Sequence, residues 1–118
     1  MAAGLRAGAL SLSAWRGRSG RRYVVGVHAL AEDLDEVGEA VVIAVRRTKG
    51  GIAELVSVAS SGESPRAHLQ RTLQRSWLAQ ARRGGATEMH VHRLAEGPSE
   101  RAAVVEDLRS DEREPAHA

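Results

Sequence analysis

The sequence contains no cysteine, no phenylalanine and no asparagine, and its only aromatic residues are Trp15, Tyr23 and Trp77. Without cysteine there is no disulfide framework, no thiol nucleophile and no thiolate metal site. Lysine is almost absent as well: of 17 Lys and Arg residues only Lys49 is a lysine. Together with abundant alanine and glycine this points to a GC-rich coding sequence, so arginine excess alone says little about nucleic acid. No apolar run approaches the roughly 20 residues that cross a bilayer, so a soluble, cytoplasmic protein without a membrane partner is expected. There is no P-loop, no Gly-rich dinucleotide fingerprint and no G-x-S-x-G nucleophile elbow.

A chain of 118 residues is one domain with a real but modest core. Its net charge of +2 hides an alternation. Residues 1–31 carry five arginines and no acid (+5), and residues 32–63 carry three bases and seven acids (−4). Residues 64–93 carry six arginines against Glu88 (+5), and residues 94–118 three arginines against seven acids (−4). A basic block set between acidic ones suits either a polyanion-facing surface or a solvated helix face.

Residues 1–21 are rich in Arg, Ala, Ser and Gly and are expected to form a disordered basic arm outside the fold. In a eukaryotic protein they resemble a mitochondrial transit peptide; in a GC-rich bacterium they fit an arm or an over-extended start. The domain is then 22–111, with a charged tail at 112–118. Tyr23–Leu30 reads as a strand, and Ala40–Arg47 as a strand covered on both faces. TKGG makes a hairpin turn to a strand at Ile52–Ser60. Ser64 caps a helix with Pro65 at its first position, and Gly84 and Gly85 end it. On this helix Leu69, Leu73, Trp77 and Ala81 form the apolar stripe, while His68, Arg71, Arg75 and Arg82 project from the other side. Arg66 falls beside the apolar stripe, where it needs a partner or a mouth to open into. ATEMHVHRL alternates as a strand, with Met89 and Val91 on one face and His90 and His92 on the other. A last helix runs from Glu100 to about Asp111.

Several constellations invite chemistry. His90 and His92 at i and i+2, with His68 as a third ligand, suit a metal; the alternative is the polar outer face of an edge-proximal strand. Glu106 and Asp107 are adjacent on a helix and diverge by about 100°, which excludes one paired-carboxylate site. Glu106 lies at the border of the apolar arc, where it either holds a divalent cation through oxygen or is a surface acid. Ser57, Ser60, Ser61 and Ser64 precede His68, but a Ser/His nucleophile pair also needs an orienting acid and an oxyanion hole, no nucleophile elbow is present, and helix capping explains Ser64 better. Arg71, Arg75 and Arg82 form a stripe for backbone-directed, salt-sensitive contacts to DNA or RNA, without the aromatic interleaving of a single-strand platform.

From Ala40 onward this pattern resembles the GIY-YIG nuclease superfamily, in which a hairpin, a basic helix, a third strand and a second helix surround a small divalent-metal site. RAAVVEDLRSDEREP, with Glu106 nine residues before Pro115, is similar to that family's metal-binding helix, and GGATEMHVHRL to its third strand. The resemblance implies a small α+β sheet with a β-hairpin and two helices, and a site built from a Mg²⁺-holding glutamate and a phosphorane-stabilising arginine. The glutamate maps onto Glu106. The arginine maps onto Arg66 or, with a shift in alignment, Arg71, and the helical wheel prefers Arg66. The family's water-activating tyrosines should fall in AVVIAVRR and ELVSVAS, and neither run has one; Tyr23 lies a strand too early. The leading expectation is therefore a catalytically impaired GIY-YIG-like domain that binds nucleic acid through its basic helix. The alternatives are an active metal-dependent phosphodiesterase and a protein-interaction module.

Overall fold

The structure, a computed structural model, describes the backbone of residues 11–30, 34, 37–62 and 67–113, and the side chains of all of these except 67–70 and 110–113. Five strands form one antiparallel sheet: β1 (Leu12–Arg16), β2 (Arg22–Ala29), β3 (Ala40–Arg47), β4 (Ala53–Ser61) and β5 (Glu88–His92). Helix α1 (Ala67–Arg83) lies between β4 and β5 in sequence, and α2 (Gly97–Arg113) follows β5. This is the small α+β fold expected, with the hairpin and two helices in the expected order.

The β3–β4 hairpin forms because TKGG can turn. Gly51 sits at φ +87, its N–H donates to the Thr48 carbonyl at 2.9 Å, and the Thr48 hydroxyl accepts from Ile52 N–H at 3.1 Å. A side chain at Gly51 would be strained in that left-handed region. Every residue of β3 from Ala40 to Val45 is buried, because its two faces meet different helices. Val41, Ile43 and Val45 join Tyr23, Val25 and Val58 beneath Val104, Val105 and Leu108 of α2. Val42 joins Met89 and Val91 beneath Leu78 of α1, with Leu34 and Val37 closing that cluster. The sheet is thus the middle layer between two helices.

Strand order is β1-β2-β5-β3-β4, and it corrects two expectations. β5 lies in the middle of the sheet, between β2 and β3. His90 and His92 are accordingly 0% and 5% exposed, and the alternation of this strand separates two buried faces instead of a core from water. Placing these histidines on an outer polar face is therefore wrong.

The second correction concerns the arm. Residues 12–16 pair with Arg22–Gly26 as an edge strand, so the described part of the expected arm belongs to the sheet. Glycine and arginine density in this stretch suggested too little apolar surface to dock. Trp15 nevertheless packs against the core, and polar ties add to it: Trp15 and the Gly17–Gly20 turn are each fastened to the rest of the molecule by hydrogen bonds. A third difference lies in α1, where Leu73 is 58% exposed and Leu78 and Ala81 are 1% exposed. The buried side of the helix is centred on Trp77, Leu78 and Ala81, rotated away from Leu73. The expected cap at Ser64 and Pro65 and the side chains of Leu69 and His68 lie outside the described residues.

Candidate functional site

Three groups of polar side chains are built into this scaffold. The first runs beneath α2 through the middle of the sheet. Trp15 Nε1–H donates to His90 Nδ1 at 2.9 Å. Indole N–H can only donate, so Nδ1 must be the acceptor and Nε2 carries the ring proton. Nε2 then donates to Glu88 Oε1 at 3.0 Å, and Glu88 Oε2 accepts from Arg47 Nε at 3.0 Å. Burial pushes the His90 imidazole below its ordinary pKa, outweighing the Glu88 carboxylate that pulls it up. His90 is therefore neutral and the contact with Glu88 is a hydrogen bond, not an ion pair. Hydrogen bonds from Arg47 first and His90 second hold the Glu88 carboxyl below the usual carboxylate range. Every polar atom of the His90 ring has a partner, so no nitrogen is left to bind a metal.

The second group is a clamp around Asp107. Its carboxylate accepts from Ser19 N–H at 2.8 Å, from the Ser19 hydroxyl at 2.7 Å and from the Tyr23 hydroxyl at 2.7 Å. Arg18 N–H donates to the Asp107 carbonyl at 3.3 Å. Gly17 makes this approach possible: a Cβ there would stand 2.1 Å from Asp107 Oδ2. Burial raises the carboxyl, but the bonds from Ser19 and Tyr23 and the nearby Arg21 outweigh it and leave the Asp107 pKa below its ordinary value. Burial, and after it the Asp107 bond, raises the Tyr23 phenol. A phenol so placed is a donor and a poor general base at neutral pH.

Beside the clamp a cavity of about 230 Å³ opens between the β1–β2 turn, the end of β5 and the first half of α2. Arg21 and Arg22 line it from the turn, Tyr23 and His92 from the sheet, and Glu100 from the helix. His92 stacks edge-on against Tyr23, with ring centroids 5.4 Å apart. Its Nδ1 lies 2.8 Å from the Val24 carbonyl, which only accepts, so Nδ1 carries the proton.

The expected site residues are distributed differently. Glu106 is exposed on α2, turned about 100° from Asp107 as helical geometry requires. Arg66 lies outside the described residues, so its distance from Glu106 is not at issue. Among the described residues no group of three or more His, Asp or Glu side chains converges as a metal site. The serines of β4 serve α1: Ser57 accepts from Trp77 Nε1–H at 2.9 Å and Ser61 from Gln74 Nε2–H at 3.3 Å. Arg71, Arg75 and Arg82 are exposed on α1. Arg101, by contrast, is 3% exposed and lies 3.8 Å from Glu39, a burial that nothing in its sequence neighbourhood announces.

Sequence reasoning missed Asp107 and Tyr23 as partners because 84 residues separate them. The available signal was chemical: a lone tyrosine in a strand core needs a partner for its hydroxyl. The fold and these ties define a small α+β domain with a basic helix on one face and an acid-bearing helix on the other. Comparison of the chain with protein-family models, with curated proteins and with solved structures finds no match.

Proposed function

We propose that the chain is a nucleic-acid-binding domain of GIY-YIG-like organisation whose catalytic hairpin has lost its water-activating groups. The observation that carries the binding half is α1. Its 17 residues contain no acid, and Arg71, Arg75 and Arg82 are exposed within about 40° of one another on the helical wheel. They span roughly 16 Å at 1.5 Å per residue, a row suited to successive phosphates. Among the described residues no hydrogen bond or ion pair engages the Arg71 or Arg75 guanidinium, and phosphate contacts there would release counterions.

Two features support the catalytic half. The succession of β3, β4, α1, β5 and α2 is the order of elements the resemblance implies. In that frame the hairpin presents buried aliphatic residues and serines engaged by α1, and the phenol of Tyr23 is committed to Asp107. A positioned acid–base group typically contributes about 10²–10⁴-fold, so cleavage of DNA with Mg²⁺ or Mn²⁺ is expected to be weak or absent.

The test is a titration of the full chain with fluorescent duplex and single-stranded DNA and RNA over a range of salt. Binding should weaken in the Arg71→Ala, Arg75→Ala, Arg82→Ala triple variant. For duplex, the slope of log K against log salt should shrink by about 0.9 for each arginine that meets a phosphate. An unchanged slope would favour a protein-interaction module. Metal-dependent nicking that vanishes in Glu106→Gln would instead establish an active phosphodiesterase.

A further inference from the structure

The cavity beside the clamp contains a polar atom that the fold leaves unused. His92 is 5% exposed, its Nδ1–H is spent on the Val24 carbonyl, and its Nε2 has no partner among the described residues. In the neutral ring Nε2 is an acceptor. Leaving a buried acceptor unpaired is costly, and such atoms in native structures call for an explanation. Every other ring nitrogen or hydroxyl of the neighbouring clamp and of the His90 chain is satisfied, which sets His92 apart.

The rest of the lining says what would satisfy it. Arg21 and Arg22 line the cavity from the β1–β2 turn, both exposed, and neither guanidinium makes a hydrogen bond to protein among the described residues. Glu100, a second acceptor, lines the cavity from α2, where one of its oxygens also receives Glu96 N–H at 3.1 Å. The remaining wall is apolar, formed by Leu94, Ala95, Ala103 and Val104. An occupant that satisfies this lining carries an anion for the arginines, hydrogen-bond donors for His92 Nε2 and Glu100, and an apolar face for the rest of the wall. A sugar seated inside the cavity would set hydroxyls against the apolar wall without partners, at a desolvation cost. A nucleobase would not. About 230 Å³ is below the roughly 300–1,000 Å³ of pockets that enclose drug-sized ligands, so it is sized for a base, and the sugar and phosphate of a nucleotide would lie at its mouth beside the exposed arginines.

We propose that this cavity is a subsite for a single phosphorylated nucleoside, with its phosphate on Arg21 and Arg22 and the donor edge of its base against His92 Nε2 and Glu100. The same chemistry is offered by a free nucleotide and by the 5′-phosphorylated end of a strand. The subsite lies on the α2 side of the sheet and uses none of the α1 arginines.

The experiment is calorimetric titration of the full chain with each nucleoside 5′-monophosphate, with the matching nucleosides, with inorganic phosphate, and with short oligonucleotides with and without a 5′-phosphate. At least one monophosphate should bind, with its nucleoside and phosphate alone each at least about tenfold weaker. A preference of about tenfold for the 5′-phosphorylated oligonucleotide would identify a strand end as the source, and equal oligonucleotide affinities would identify the free nucleotide. Arg22→Ala, on the exposed rim, should weaken binding without affecting folding, and His92→Phe should abolish it. Failure of every monophosphate to bind, or full binding by both variants, would overturn the subsite. The α1 triple variant separates this inference from the helix reading. Nucleotide binding that persists in it while oligonucleotide binding weakens supports both. Oligonucleotide binding without nucleotide binding sinks the cavity alone, and nucleotide binding without oligonucleotide binding sinks the helix reading alone.

Discussion

The two helices cover opposite faces of one sheet, and they are attached by different physics. Within Ala67–Arg83, α1 has four arginines and no acid; within Gly97–Arg113, α2 has five acids and three arginines. α1 rests on Leu78, Ala81 and the half-buried Trp77, with hydrogen bonds to Ser57 and Ser61 at the β4 edge. α2 buries Val104, Val105 and Leu108 and also carries Asp107, which ties it to the β1–β2 turn. One helix therefore keeps its arginines exposed, while the other uses part of its charge to close the fold. Acidic residues on a helix are usually assigned to its surface. Asp107 shows that one of them can be what holds an edge hairpin in place.

Burial gives the largest expected effects. Leu108 is 0% and Leu78 1% exposed, and replacing either with alanine should cost about 2–5 kcal/mol by the usual range for large-to-small core changes. Leu73→Ala should stay within about 0.5 kcal/mol, as surface substitutions do. Urea denaturation of the three variants checks this. A Leu73→Ala cost matching that of Leu78→Ala would mean that the buried side of α1 has been misidentified.

The clamp comes next. Asp107→Ala leaves the Tyr23 hydroxyl and Ser19 without their acceptor, a loss of about 1–3 kcal/mol for an unsatisfied buried partner. Gly17→Ala should be of similar size, since its Cβ would displace the same carboxylate. The two should not add. With Asp107 truncated the clash disappears, so a double-mutant cycle is expected to show a coupling of about 0.5–3 kcal/mol. Strict additivity would mean that the turn is held by something other than this carboxylate.

How far the sequence revealed all this varies with the kind of interaction. The β3–β4 hairpin and both helices were legible because apolar runs, a TKGG turn and Gly84–Gly85 are local signals. β1 was not, since its attachment depends on Trp15 reaching His90, 75 residues away, and on Ser19 reaching Asp107, 88 residues away. The central place of β5 was hidden for another reason. Alternation distinguishes two faces but cannot say that both are buried, and histidines on one of them read as polar. Of the candidate site, the exposed arginines of α1 could be read from the helical wheel. The acceptor left over on His92 could not, because it becomes visible only once Nδ1 is seen to be committed to Val24.

The His90 chain gives a smaller, pH-dependent effect. Burial lowers the folded-state pKa of His90 from an unfolded value of about 6.5. As pH falls through about 6.5 the unfolded chain takes up a proton that the folded chain refuses, so stability declines until the lower folded pKa is passed. Protonation of Nδ1 would also set an N–H against the Trp15 donor. Glu88 and Asp107, whose pKa values are lowered, add stability that is present above about 4.3 and 3.9, their unfolded values, and is lost as pH falls through their folded values. The interval from about 6.5 down to about 4.5 therefore separates the His90 effect from those of these two carboxylates. Unfolding curves across it should slope in the wild type and flatten in His90→Gln, which cannot titrate; an identical slope in both would assign the effect to another histidine.

The smallest expected effect on stability belongs to the residues with the largest expected effect on binding. Arg71 and Arg75 are exposed without described protein partners, and Arg82 is exposed as well. Alanine at each position keeps or slightly improves helix propensity, so each should change stability by no more than about 0.5 kcal/mol. The triple variant should therefore melt with the wild type while its affinity for nucleic acid falls and its salt slope shrinks. That dissociation is what distinguishes a docking face from a structural one. A loss of more than about 1.5 kcal/mol, the sum of three such surface changes, would show that the arginines of α1 hold the fold together. The contrast between the two helices would then fail, and weakened binding by the triple variant could no longer be attributed to phosphate contacts.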